Sequence, residues 1–147
     1  MPLSKMCLVK IHTLPKIAMK PITVYKELLI SDSGDIITAY MLNAVRLNHT
    51  IEASRPWHYN IISPYVEGQG IHAYDSIQAA VFRRIYVPKV EVPNFGSFTT
   101  IIVKAIIPRF SFYWKGEDYE IASSKMFITN ELVASSQPLI PMIKKTI

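Results

Sequence analysis

Three stretches set the pattern of apolar and polar positions along the chain. "ITVYKELLI" (Ile22–Ile30) alternates within an apolar run and predicts a strand. "FTTIIVKAIIP" (Phe98–Pro108) is β-branched and nearly continuous, as in a strand buried on both faces. In "DSIQAAVFRRI", Ile77, Val81 and Ile85 recur every fourth residue with Ala80 beside them, which predicts one buried helical face. Asp75 stands where an N-cap belongs, Arg83 and Arg84 suit the negative end of the helix dipole, and Pro88 stops the run.

Weaker signals fill the rest. "SDSGD" (Ser31–Asp35) reads as a turn with Gly34 free to take a positive φ, and "IITAYML" (Ile36–Leu42) as the returning strand of a hairpin. "IHAY" (Ile71–Tyr74) is a short strand, "RFSFYW" (Arg109–Trp114) an aromatic alternation, "KGEDYE" (Lys115–Glu120) a polar turn, and "SKMFITNELV" (Ser124–Val133) a last strand with Met126, Ile128 and Glu131 at its alternations. "AVRLNHTIEA" (Ala44–Ala53) alternates too weakly to assign. Ser54–Gly70 reads as a long loop and Lys89–Ser97 as a connector. Residues 1–21 and 134–147, punctuated by proline, read as irregular arms around a body at 22–133. The expectation is a single α+β domain: a mixed, mostly antiparallel sheet with one packed helix at about 75–86.

At 147 residues the chain has enough length for a core without staples. Half its residues are hydrophobic and the mean hydropathy is +0.20, so either the core is well filled or a partner covers apolar surface. Cys7 is the lone cysteine, which excludes an internal disulfide and a cysteine-rich zinc site. No stretch approaches the ~20 apolar residues that span a bilayer, and Lys5, Lys10 and Lys16 break up any signal-like run. The expected setting is therefore a cytoplasm, with no membrane partner.

Charge adds a direction. The net charge is +5, and five lysines from Lys5 to Lys26 precede the first acid, Glu27. Lys144 and Lys145 follow the last acid, Glu131. Such a field favours anionic partners, whether nucleotide, nucleic acid or an acidic protein face.

Candidate chemistry is sparse. His12, His49, His58 and His72 show no metal spacing, "GQG" at Gly68–Gly70 is not a dinucleotide fingerprint, and no metal or cofactor is expected. His72 reads either as a half-buried histidine at a strand–helix junction or as a ligand contact beside Tyr74. Glu117, Asp118 and Glu120 read as a solvated turn or, for Glu120, as a catalytic carboxylate on the lip of a cleft. Trp57, His58, Tyr59, Tyr65, Phe112, Tyr113 and Trp114 lie near Arg55, Arg109 and Lys115 in sequence. Rings beside cations either close the core under long loops or form a base-stacking pocket, with the cations on phosphate. The candidate ligand-binding set is thus His72, Tyr74, Trp57, Tyr59, Arg83, Arg84, Arg109, Tyr113 and Trp114.

Taken together, "KPITVYKELL", "GQGIHAYDSIQAA" and "IIVKAIIPRFSFYWKGEDYEIASSKMFITNEL" resemble a group of short uncharacterised proteins of bacteriophages, especially those of Bacteroides-type hosts. The shared features are a Gly-x-His-x-Tyr strand before a helix, a strand ending Ile-Pro, and a Ser-Lys dipeptide opening the last strand. The resemblance implies a mobile-element context and carries no established activity. Joined to the basic balance, the loop aromatics and the lack of a catalytic set, it leads to the expectation of a non-enzymatic accessory protein that engages an anionic ligand or a host protein, in the host cytoplasm or the virion. It also leaves open an assembly component that clamps neighbours, itself included, with its arms. A fainter similarity is to ADP-ribosyltransferase-like folds, which would make Glu120 the catalytic glutamate. Lys26 stands where that family has arginine, and its Ser-Thr-Ser strand is missing.

Overall fold

A computed structural model describes residues 15–38, 43–53, 57–60, 65–68, 70–84, 89–116 and 119–137. The expectations for Cys7, His12, the first fourteen residues, Arg55, Ile85, Pro88, Glu117, Asp118 and the last ten residues lie outside these. Twelve strands and one helix occur in the described residues: β1 (Lys16–Ile17), β2 (Ile22–Ser31), β3 (Ile36–Thr38), β4 (His49–Glu52), β5 (Trp57–Asn60), β6 (Tyr65–Gly68), β7 (Ile71–Tyr74), α1 (Ile77–Arg84), β8 (Val90–Val92), β9 (Gly96–Ile107), β10 (Phe112–Lys115), β11 (Glu120–Ser123) and β12 (Lys125–Ser135).

Ten strands form one sheet in the order β1-β10-β11-β7-β2-β9-β12-β4, with β3 on β2 and β8 on β9; β5 and β6 pair as a separate hairpin. Every pairing among the named strands is antiparallel. This corrects the expectation of an α+β fold with a mixed sheet: the protein is a sheet-dominated antiparallel fold, and its helix is eight residues long. The physical reason lies in three stretches read as unassigned, loop and connector. They hold β4, the β5–β6 hairpin and β8, whose strands are too short to show a period.

The long pair at the centre is β2 on β9, in register from Ile22 opposite Ile107 to Ser31 opposite Phe98. Successive side chains on a strand point to opposite faces. Val24, Leu28 and Ile30 of β2 and Ile101, Val103, Ala105 and Ile107 of β9 therefore share one face. They form the main core with Ala73, Ile121, Met126 and Ile128. On the other face Tyr74, Ala80 and Ile102 pack together with Tyr25 and Ala79, and Leu29, Ile37, Val92 and Phe98 make a third cluster. The two-sided burial expected of Phe98–Pro108 is what β9 shows. β12 changes sides: register shifts after Ile128 and after Leu132 break its alternation, so Met126 and Ile128 serve the main core while Val133 and Ala134 join the helix-side cluster.

Helix α1 differs from its expectation in two details. Its N-cap is Ser76, whose Oγ accepts from the Ala79 N–H at 3.3 Å; Asp75 instead pairs with Lys115 at 3.7 Å. Its contact with the sheet runs through small residues. Ala80 is fully buried, whereas Ile77 is 41% exposed and Phe82 86% exposed. Alanine lets the helix sit close to Tyr74 and Ile102.

Candidate functional site

At one end of the sheet three polar-rimmed segments converge on a cleft of about 710 Å³. One is the β2–β3 turn, with Ser31, Ser33, Gly34 and Asp35. The second is the stretch from Ala44 to His49, and the third is the β8–β9 turn with Phe95. Ile36, Ile37, Val45 and Phe98 line the cleft and are buried; Asn130 of β12 lines it as well. The lining mixes apolar and polar side chains, and its size lies within the ~300–1,000 Å³ usual for small-molecule sites.

Local chemistry holds each wall. In the first, the Gly34 N–H donates to the Ser31 carbonyl at 3.0 Å with Gly34 at φ 95, a conformation that favours glycine. The Asp35 carboxylate accepts from Ser33 Oγ at 3.2 Å and the Asp35 N–H donates to Ser31 Oγ at 3.0 Å, so this acid is engaged within its own turn. In the third, Val92-Pro93-Asn94-Phe95 closes with the Phe95 N–H on the Val92 carbonyl at 2.9 Å and Asn94 at φ 68. Proline second and a left-handed residue third make a type II turn. It carries Phe95 at the rim, 58% exposed.

The middle wall bears the cation. Asn48 takes φ 60, and its Oδ1 accepts from the Asn130 N–H at 3.2 Å, which ties the segment to β12. His49 Nδ1 lies 2.9 Å from the Leu47 carbonyl; donating there, it leaves Nε2 as an acceptor in the neutral ring. The Val45 N–H donates to the Ile36 carbonyl at 2.9 Å and joins this wall to β3. Between these anchors Arg46 is exposed on the cleft and makes no ion pair among the described residues.

Of the residues picked out by sequence, those with described side chains lie elsewhere. Tyr74 pairs with both Tyr25 and Glu120, and Ala122 pairs with both His72 and Trp114. By strand alternation His72, Tyr74, Glu120 and Trp114 thus share the helix-side face of the sheet. Tyr74 is 5% and Trp114 2% exposed, so those rings are covered and cannot stack on a ligand as they stand. Tyr113 faces the other way, against the main core. Arg109 sits in the β9–β10 turn with its guanidinium 4.4 Å from the centre of the Phe110 ring. For Trp57 and Tyr59 on β5, and for Arg83 and Arg84 at the end of α1, the described structure is the backbone alone.

His72 is half-buried, and its main chain ties two strands. Its carbonyl accepts from Lys26 Nζ at 2.7 Å, and Lys26 is buried on the main-core face of β2. That bond straps β7 to β2 beside the Tyr25–Tyr74 pairing. Among the candidates with described side chains, none of His72, Tyr74, Arg109, Tyr113 and Trp114 lines the cleft, and Arg46 and Phe95 were not among the candidates. The findable signal was "VPNFG", a type II turn presenting an aromatic ring.

Among the described residues no group of three His, Cys, Asp or Glu side chains could hold a metal, and no helix is long and apolar enough to cross a membrane. Comparison with protein-family models, with curated proteins and with solved structures finds no match.

Proposed function

We propose that the chain is a non-enzymatic binding protein, of the phage accessory type its sequence resembles, that takes a small anionic ligand carrying a planar ring. The nucleotide is the class that combines both features. The observation that carries this reading is Arg46, exposed on the wall of the cleft with no ion pair among the described residues. A guanidinium offers a planar fork of donors matched to phosphate or carboxylate. Phe95 supplies the ring face at the rim, and His49 Nε2 supplies an acceptor. The cleft lies within the ~300–1,000 Å³ usual for small ligands, and the basic balance of the chain draws anions toward it.

The test is calorimetric titration of the purified chain with nucleoside mono- and diphosphates. Binding should weaken by about 10- to 100-fold in Arg46→Glu, from the loss of a charge-assisted contact of roughly 1.5–3 kcal/mol. It should weaken by a comparable factor in Phe95→Ala, from a stacking contact of roughly 1–3 kcal/mol. Wild-type affinity retained in both variants would sink the assignment of the cleft. No heat with any nucleotide at millimolar concentration would sink the ligand class.

A further inference from the structure

The two ends of the long sheet are built differently. At one end β1 is two residues long, carries Lys16, and is bracketed by Pro15 and Pro21. Short length, lysine and proline are the usual means by which a sheet edge is kept from pairing. At the other end β4, "HTIE", has no proline and no lysine, and its pairing with β12 is in unbroken register from His49 opposite Ile128 to Glu52 opposite Lys125.

The phase of that ladder tells which backbone groups of β4 face outward. The Ala53 N–H donates to the Ser124 carbonyl at 2.9 Å, and these two residues continue the same register. In an antiparallel pair, hydrogen-bonded and non-hydrogen-bonded positions alternate. Ala53, Ile51 and His49 therefore turn their N–H and C=O toward β12, and Thr50 and Glu52 turn theirs to the side on which no described strand pairs.

We infer that a second copy of this chain pairs there, β4 against β4, as a two-fold antiparallel extension of the sheet. The outward groups fit one another. Thr50 of each copy stands opposite Glu52 of the other, each pair exchanging two backbone bonds, and the axis passes between the two Ile51 residues. An isologous contact of this kind closes after two copies.

The side chains agree with that register. Ile51 is half-buried and packs against the main core, so Ile51 on Ile51 carries the core across the axis. No like charges stand directly opposite, and each Glu52 has Lys125 of its own copy 3.9 Å away. The inference is independent of any ligand in the cleft.

Sedimentation of the full chain over a range of concentrations should show a reversible dimer. Thr50→Pro removes an outward N–H and none of the inward ladder, a position where an edge strand tolerates proline. It should give a monomer with unchanged circular dichroism, while Arg46→Ala should leave the dimer intact. The register is read separately by cysteine in a Cys7→Ser background. Ile51→Cys should cross-link on mild oxidation, because non-hydrogen-bonded partners have Cα atoms about 4.5 Å apart, within disulfide span. Glu52→Cys, offset from its own copy, should cross-link poorly. A monomer at every concentration overturns the inference. So does a dimer that survives Thr50→Pro; and should Thr50→Pro fail to fold, failure of Ile51→Cys to cross-link overturns it.

Discussion

Tyr119 and Phe110 are large residues in the left-handed region, at φ 67 and φ 70, and both rings are exposed. A side chain with a β-carbon pays roughly 1–2 kcal/mol to sit there. Tyr119 closes the turn between β10 and β11 and offers its carbonyl to the Asp75 N–H at 2.9 Å. Tyr119→Gly keeps that carbonyl and relieves the strain. It should raise stability by about 1 kcal/mol in urea unfolding, whereas Tyr119→Val, β-branched, should lower it. A loss of stability in the glycine variant would show that the ring does more than its exposure suggests. Neither position was legible in sequence, because nothing in "KGEDYE" or "PRFS" marks a left-handed residue as glycine does in "SDSGD", where Gly34 sits as expected.

The helix shows how far an element can be read from its letters. Its presence and its place before Pro88 follow from the spacing of Ile77, Val81 and Ala80, but its cap and its buried face do not. Asp75 and Ser76 are both good cap residues, and only the backbone direction leaving β7 selects Ser76. Ser76→Ala should cost about 1 kcal/mol. Asp75→Ala should cost less, since its pair with Lys115 is at 3.7 Å and surface pairs contribute about 0–1 kcal/mol. Equal losses in thermal unfolding would contradict this ordering. Strand β12 teaches a related lesson. Its buried residues alternate as far as Ile128; the shift after Leu132 then brings Ala134 to the face that Val133 already takes, and a period-two reading has no means of placing such an insertion.

At the scale of the molecule, the long central strands were legible and the sheet around them was not. Ile22–Ile30 and Phe98–Pro108 carry enough apolar residues to declare themselves, and their pairing organises the core. Leu28, fully buried among the main-core residues, should cost roughly 2–5 kcal/mol as Leu28→Ala, read by urea unfolding. The short strands are stabilised by the ladder rather than by their own pattern, so they read as loops and made the fold look more helical than it is. The cleft escaped for the same reason. Its walls come from Ser31–Ile37 and Ala44–His49 on one side and from Phe95–Phe98 and Asn130, distant in sequence, on the other, which meet only when β3 and β8 flank the central pair.

The proposed ligand is anionic and ring-bearing, held in the cleft by Arg46 and Phe95. The most direct measurement is a nucleotide titration followed by backbone amide chemical shifts. Saturable changes confined to Ser33–Ile37, Arg46–His49 and Asn94–Phe98 are the predicted result. Saturable changes elsewhere, around His72 and Trp114, or no saturable change at all, would contradict it.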